Sequence, residues 1–136
     1  MFIDSNIFLE VELAQEHGEA SRKFLKMVQK GEVRAYTTDF HLDNVVIVME
    51  NYGKSWRDIA VFLASLLHYR GLTIYPLLIY DKIKATEIMK EEGLDFEDSL
   101  AAYVVKKLNL KVIVSYDSDF DGVSWLERKI PEDLIP

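Results

Sequence analysis

The chain has 136 residues, a formal charge of −7 and no cysteine. Its length suits one domain, and a composition of 49% hydrophobic and 12% aromatic residues supports a packed core and argues against disorder. The lack of cysteine excludes thiolate metal sites and disulfides, and the acidic balance argues against a broad basic face that coats nucleic acid. No apolar run approaches the roughly 20 residues that span a bilayer, and no signal peptide is evident, so we expect no membrane segment. The lack of cysteine makes a cytoplasmic location the simplest expectation.

The first half of the chain predicts two short strands, at Phe2–Ile3 and at Val33–Thr38. Three helices are predicted, over Glu19–Lys30, Asp39–Tyr52 and Ser55–Arg70. Gly31 follows the first of them and can take the left-handed conformation that ends a helix. Ser55 with Asp58 resembles the capping box that begins one.

In the second half, Ile79, Ile83, Thr86 and Met89 mark one face of a helix that ends at Gly93. The other predicted elements are strands over Leu72–Tyr75, Lys111–Ser115 and Val123–Leu126, and a helix from Phe96 to about Leu108 that Asp95 can cap. Strands and helices therefore alternate. That order favours a single α/β domain over residues 1–136 with a small, mainly parallel sheet flanked by helices.

Acidic residues follow several of these strands. Asp4 lies one residue past the first strand, and Asp117 and Asp119 lie just past the strand Val112–Val114. Asp43 is one turn into the helix after the second strand, and Asp98 is in the first turn of the last helix. Ligands of open parallel sheets bind beyond the carboxyl ends of the strands, so four separate segments can bring carboxylates to one cleft.

Such a cluster of like charges is unfavourable by itself, because each carboxylate raises the pKa of its neighbours. A hard divalent cation reverses this, since Mg²⁺ and Mn²⁺ prefer carboxylate and water oxygens. Bound ions can activate water and stabilise the leaving oxygen of a phosphodiester. The pattern therefore favours metal-dependent phosphodiester hydrolysis.

Three segments in this order, MFIDSN, DFEDSLAAY and VSYDSDF, resemble the acidic motifs of the PIN domain, a family that includes the VapC-type toxins. The resemblance implies a three-layer α/β/α ribonuclease that holds Mg²⁺ or Mn²⁺ between three or four acids. It also implies that such chains commonly form homodimers. If the protein is a toxin, the resemblance implies a small antitoxin partner that covers the acidic cleft.

Residue by residue, Asp4 matches the first-strand aspartate of the family, Asp98 the aspartate that opens the late helix, and Asp117 the aspartate after the fourth strand. Asp119 matches the further acid of the last motif. Asp4, Asp98 and Asp117, together with Asp43, are the expected catalytic and metal-binding residues, and Asp119 is expected to bind metal only. Each also has an ordinary interpretation, because aspartate favours turns after strands and the first turn of helices.

Two polar residues match positions that help to order the site in the family, namely Asn6 and Ser115. The main departure is at the second family acid, which is usually a glutamate and aligns here with Asp43. Aspartate is one methylene shorter, so Asp43 is expected to reach a metal only through water. Glu50 lies two turns further along and is expected to point away from the strand edge.

Two other function classes stay open at this point. The shortened acid at Asp43 motivates a PIN-like binding module that has lost catalysis and acts through protein or RNA partners. Phosphatase or phosphoryl-acceptor chemistry ranks lower, because Asp4-Ser5-Asn6 lacks the second aspartate of a haloacid-dehalogenase-like nucleophile motif.

Two further surfaces are visible in the sequence. A basic face of the first long helix is expected to be a solvated helix side or a contact with a phosphate backbone; its residues are Arg22, Lys23, Lys26 and Lys30. The apolar residues from Ile59 to Leu67 exceed one helical stripe, so some of them can form a dimer face. The histidines share no metal spacing, and we expect surface or capping roles for His17, His41 and His68.

Overall fold

A computed structural model describes residues 1–136 and contains a five-stranded sheet in the order β3-β2-β1-β4-β5, in which every pair of neighbours is parallel. The strands are β1 (Phe2–Ile3), β2 (Ala35–Thr38), β3 (Leu72–Tyr75), β4 (Val112–Val114) and β5 (Glu127–Lys129). The helices are α1 (Ser5–Glu12), α2 (Gly18–Lys30), α3 (Asp39–Asn51), α4 (Trp56–Ser65), α5 (Ile79–Glu92) and α6 (Phe96–Lys107). The predicted fold class is confirmed.

Two hydrophobic cores lie on opposite faces of this sheet, which makes the molecule three-layered. Successive side chains of a strand point to opposite faces. Ile3 and Val114 therefore pack with buried residues of α1 to α4, whereas Phe2 and Ile113 pack with α5 and α6. All four side chains are fully buried. The central strands are hydrophobic on both faces, as parallel strands between helical layers require.

The carboxyl ends of β1, β2 and β4 meet at one edge of the sheet. Ile3 lies opposite Val114, and the backbone N–H of Asp4 donates to the Val114 carbonyl at 3.0 Å. β2 ends at Thr38, whose hydroxyl accepts a bond from the His41 N–H and so caps α3. Because the strands are only two to four residues long, the residues that follow them converge quickly at this edge.

Several helix boundaries follow the predicted signals. Gly31 ends α2 with a φ of +81°, a left-handed conformation that most side chains disfavour. Ser55 and Asp58 form the predicted capping box of α4. Asp95 caps α6 by accepting a bond from the Asp98 N–H. The structure confirms these three signals. They were predictable because each depends only on residues that are close in sequence.

Two predictions of element position differ from the structure. The last strand is Glu127–Lys129, and the predicted strand at Val123–Leu126 is wrong. Val123 and Leu126 are apolar because they fill the core beside α6 from a turn, whereas β5 is a charged edge strand held by its backbone pairing with β4. The helix predicted to Arg70 ends at Ser65 and continues only as a 3-10 turn.

α1 has no counterpart among the predicted elements, and the predicted apolar face of α5 is not the face that meets the core. Ile79 and Ile83 are 71% and 58% exposed, while the buried residues of α5 include Ala85 and Ile88. Apolar spacing alone does not say which side of a helix meets the core. None of the helices combines the length and apolar character needed to cross a membrane.

Candidate functional site

Asp4 lies at the carboxyl end of β1 and is almost entirely buried, with 2% of its surface exposed. Its Oδ1 accepts a bond from the Ser5 N–H at 2.8 Å. Its Oδ2 accepts bonds from Asn6 Nδ2 at 3.2 Å and from Ser115 Oγ at 2.6 Å. The carboxylate is therefore held in one orientation by three donors from two segments of the chain.

Ser115 and Asn6 join the ends of β1 and β4. Besides donating to Asp4, the Ser115 hydroxyl accepts bonds from Asn6 Nδ2 and from the Asp117 N–H, both at 3.0 Å. Asn6 Oδ1 accepts a bond from the Tyr116 N–H at 3.2 Å. These contacts fix the backbone that carries Asp117 relative to Asp4, although Ser115 and Asp4 are 111 positions apart in sequence.

A group of three aspartates lies at the same edge. Asp98, Asp117 and Asp119 each place a carboxylate oxygen within 4.8 Å of the other two. Asp98 is held by the first turn of α6, where its N–H donates to Asp95 Oδ1 at 2.8 Å. Asp117 begins a short 3-10 turn, and its Oδ1 accepts a bond from the Asp119 N–H at 2.9 Å. Asp98 is buried and Asp119 is exposed, so the group extends from the interior to the solvent at this edge of the sheet, and we call this region the acidic cleft.

Burial and neighbouring carboxylates raise the pKa values of Asp98 and Asp4. Burial, a hydrogen bond with Asp117 and the charges of Asp4, Asp117 and Asp95 raise the pKa of Asp98 to about 9. Burial raises the pKa of Asp4 to about 6, although its bonds from Ser115 and Ser5 oppose the shift. Without a cation, Asp98 is therefore protonated at neutral pH and shares its proton with Asp117.

A second group combines Asp4 with His41 and Glu97, each of which places one ligand-type atom within 4.8 Å of the others. His41 is fully buried, so the expected surface or capping role is wrong for this histidine. Its Nδ1 lies 2.6 Å from Thr38 Oγ1, and its Nε2 lies 3.2 Å from the carbonyl oxygen of Glu97. A carbonyl only accepts, so Nε2 carries the proton and Nδ1 accepts from the threonine hydroxyl.

The His41 ring therefore orders the site and has no free nitrogen for a metal. Burial lowers the pKa of His41 to about 4, which keeps the ring neutral. Its bond to the Glu97 carbonyl ties α3 to the first turn of α6, the turn that carries Asp98. Ser5 Oγ donates to Glu97 Oε1 at 2.5 Å and ties the start of α1 to the same turn.

No basic side chain neutralises this cluster. All six ion pairs of the chain involve carboxylates outside the two groups. Arg128 approaches from β5, but its guanidinium is occupied by both oxygens of Asp121 at 2.8 and 3.0 Å and by the Ser115 carbonyl at 3.2 Å. The cleft consequently presents several uncompensated carboxylate oxygens.

This donor set fits a hard divalent cation. Carboxylate oxygens that are close together, partly buried and free of basic partners are what Mg²⁺ and Mn²⁺ bind in proteins. Burial is the main cause of the raised pKa of Asp98, and the charges of Asp4, Asp117 and Asp95 add to it; a bound cation would offset both effects. Asp98, Asp117 and Asp119 form one candidate set of ligands, and Asp4 lies near enough for its charge to act on Asp98.

A family model for the PIN domain matches residues 1–126 of the sequence. The chain belongs to the PIN domain family. The resemblance inferred from the three acidic motifs is therefore confirmed. No curated protein matches the sequence.

Solved structures share the PIN fold of this chain at low sequence identity. One is the toxin VapC20 of Mycobacterium tuberculosis, which cleaves the sarcin-ricin loop; the TM-score is 0.74 at 14% identity, over 93% of this chain and 96% of that one. Another is a toxin-antitoxin complex from Klebsiella pneumoniae, with a TM-score of 0.69 at 11% identity over 96% of each chain. A third is VapBC2 of Rickettsia felis bound to a DNA fragment from its promoter, with a TM-score of 0.64 at 14% identity over 95% of this chain and 96% of that one.

In this PIN domain the expected acids do not all lie together. Asp4, Asp98, Asp117 and Asp119 belong to the two groups described above, whereas Asp43 is exposed on α3 and belongs to neither. Its assignment as a water-mediated ligand stays a prediction. Asn6 and Ser115 make the contacts expected of residues that order a site, and their effect on activity stays a prediction as well.

Sequence reading missed Glu97 and the buried role of His41. Glu97 had a usable signal, because it precedes Asp98 in the motif DFEDSL and therefore sits in the same first helical turn. His41 had none of the spacing that marks metal ligands, and its partner Glu97 lies 56 positions away in sequence.

Proposed function

We propose that this PIN domain is an endoribonuclease that hydrolyses RNA phosphodiester bonds with Mg²⁺ or Mn²⁺. The observation that supports it most directly is the convergence of Asp4, Asp98 and Asp117 from three separate segments without any basic partner. These residues would hold the ion or ions, Asp119 lies at the exposed edge of the group, and Asp43 would contribute at most through water. When bound, the ion polarises the scissile phosphate and lowers the pKa of the attacking water.

The protein's own groups prepare that chemistry. Ser115 and Asn6 hold the Asp4 carboxylate so that it does not rotate when a cation enters. The proton that Asp98 carries without a cation would have to be released for this residue to act as a ligand, since metal ligands bind in their deprotonated form. The exposed side of Asp119 leaves room for an RNA strand to approach.

The test is cleavage of a labelled RNA pool with and without Mg²⁺ or Mn²⁺. We expect Asp98→Asn and Asp4→Asn to lower the rate by at least about 100-fold, while an unchanged circular dichroism spectrum shows that the fold is kept. Glu50→Gln on α3 is the matched control and should keep full activity. Equal cleavage by the wild-type protein and both aspartate variants would exclude the proposed role.

We also infer a toxin role in the cytoplasm, with a small antitoxin partner. Two of the similar structures are described as a toxin-antitoxin complex and as VapBC2, which supports this inference by fold alone. Expression of the wild-type chain in a bacterial host should arrest growth, and expression of the Asp98→Asn variant should not. If both variants arrest growth equally, RNA cleavage at this cleft is not the cause.

A catalytically weak binding module is the alternative, and the exposed position of Asp43 outside both acidic groups favours it. The two functions differ in metal affinity. Calorimetric titration with Mn²⁺ at pH 8 should show a binding isotherm for the enzyme and none for the binding module.

A further inference from the structure

A row of exposed cations lies on and beside α2, apart from the acidic cleft. The cation row comprises Arg22, Lys26, Lys30, Arg34 and Arg70. None of them forms an ion pair, although the chain carries a formal charge of −7. Lys23, the fourth basic residue of the helix, is excluded because it pairs with Glu19 at 3.4 Å.

The row extends away from the acidic cleft along α2. At the start of the helix, Ser21 Oγ lies 3.5 Å from the hydroxyl of Tyr116, the residue that follows Ser115. The ring of His17 stacks on the same tyrosine at 4.2 Å. Arg22 therefore begins the row one residue beyond a contact with the segment that carries the acids.

The helix sets the spacing of the row. Arg22, Lys26 and Lys30 are four residues apart, which gives a rise of about 6 Å per step along one side of α2. Arg22 and Lys26 line a cavity of ≈ 180 Å³ beside Tyr69. The three side chains form a line of positive charge about 12 Å long.

Two arginines from other segments extend the line past the end of the helix. The Arg70 N–H donates to the Gln29 carbonyl at 3.1 Å, which fixes Arg70 against the last turn of α2. Arg34 and Arg70 then line a second cavity of ≈ 140 Å³ at the amino ends of β2 and β3. Cations in the last turn of a helix favour its macrodipole, but that effect does not account for two arginines outside the helix.

We propose that the cation row binds the sugar-phosphate backbone of the RNA substrate and leads the strand to the acidic cleft. This inference rests on the proposed ribonuclease function. An acidic protein that cleaves RNA needs a local region of positive potential to hold its substrate, and unpaired arginines and lysines supply it. Arginines at both ends of the row present planar donors that fit phosphate oxygens.

The experiment measures binding separately from cleavage. The probe is a fluorescein-labelled single-stranded RNA of mixed sequence, titrated by anisotropy in EDTA so that no hydrolysis occurs. The test variant combines Arg22→Gln, Lys26→Gln and Lys30→Gln. We expect it to weaken binding at least about 10-fold at low salt and to reduce the slope of log K against log salt by about 2, the value for three phosphate contacts on a single strand.

The matched control combines Lys82→Gln, Lys90→Gln and Lys106→Gln on α5 and α6, three cations in the opposite helical layer that also lack ion pairs. It removes the same charge, and we expect less than a two-fold change. Equal weakening by both triple variants would overturn the proposal, as would a wild-type chain that does not bind the probe. Polyglutamate that binds the row as tightly as RNA would assign the row to an acidic protein and also overturn it.

Failure of the ribonuclease function has a different signature. In that case RNA binding still depends on the cation row, but no cleavage follows when Mg²⁺ or Mn²⁺ replaces EDTA. Conversely, a test variant that cleaves and binds RNA as well as the wild type does would leave the proposed ribonuclease function intact and refute the RNA-binding role of the cation row.

Discussion

At the scale of single residues, the site depends on how Asp4 is held. A buried carboxylate with three donors is tolerated, whereas loss of one donor leaves part of its charge unpaired in the interior. Ser115 is the donor with the most connections, since its hydroxyl touches Asp4, Asn6 and the backbone of Asp117.

Ser115→Ala should therefore lower the free energy of unfolding of the metal-free protein by about 1–3 kcal/mol. Ser115→Thr is the matched control, because threonine keeps the hydroxyl at the same position. Thermal or urea denaturation followed by circular dichroism measures both variants. A Ser115→Ala protein as stable as the threonine variant would show that Ser115 does not stabilise Asp4.

The raised pKa values of Asp98 and Asp4 predict a pH dependence of stability with a definite sign. Between about pH 4 and pH 9 the metal-free folded protein binds more protons than the unfolded chain, whose aspartates have ordinary pKa values. The free energy of unfolding therefore falls as the pH rises through this window. At pH 8, Asp98→Asn should be more stable than the wild type by at least about 1 kcal/mol.

The same measurement separates the role of the cation. Saturating Mn²⁺ should stabilise the wild type at pH 8 and leave Asp98→Asn nearly unchanged, and the two metal-free proteins should converge near pH 4. Thermal denaturation at pH 4, 6 and 8 provides the data. A metal-free wild type that is most stable at pH 8 would show that the pKa values of Asp98 and Asp4 are not raised in the folded protein.

At the scale of secondary-structure elements, the molecule shows which features a single sequence carries. The boundaries of α2 and α6 were predictable, because Gly31 and Asp95 act within one turn of the helix that they end or begin. β5 was not predictable from apolar pattern, because its three residues are charged and its position is set by pairing with β4. The face of α5 that meets the core depends on neighbours far away in sequence.

The convergence of Asp4, Asp98 and Asp117 was predictable from strand ends, since parallel strands present their carboxyl ends at one edge. The hydrogen bond from His41 to the Glu97 carbonyl was not, because it joins two helices that follow different strands. This hydrogen bond nevertheless matters for the acidic cleft, because it fixes the first turn of α6, which carries Asp98.

His41→Ala should lower the free energy of unfolding by about 2–4 kcal/mol, because it leaves a cavity and removes a partner of Thr38 and Glu97. It should also weaken Mn²⁺ binding by about 10-fold or more, since α6 positions Asp98. His41→Gln retains a donor for the carbonyl and should recover part of the metal affinity. Calorimetry at a temperature where all three proteins are folded tests this, and unchanged Mn²⁺ affinity in His41→Ala would show that the histidine only fills space.

At the scale of the whole molecule, the apolar surface of α4 and the turn after it is larger than the cores use. Phe62 and Leu66 are buried, whereas Val61 and Leu67 are 70% and 86% exposed. The excess of apolar residues from Ile59 to Leu67 that the sequence shows is thus divided between core and surface. An exposed apolar face of this kind is typical of a surface that another protein covers.

The prediction that the chain forms a homodimer places part of its interface on this face. Val61→Glu with Leu67→Glu should shift the protein from dimer to monomer without unfolding it, because neither side chain contributes to the core. Light scattering after size-exclusion chromatography gives the mass. A wild-type protein that is already monomeric at micromolar concentration would refute the homodimer prediction.

The central position of β1 has a consequence for synthesis. β1 pairs with β2, which follows it closely, and with β4, which lies near the other end of the sequence. During translation the first strand therefore waits until more than a hundred further residues have left the ribosome, and contacts of such long range form late in folding. A nascent chain carries its acids on unconnected segments, so Asp4 and Asp117 come together only after β4 has been synthesised.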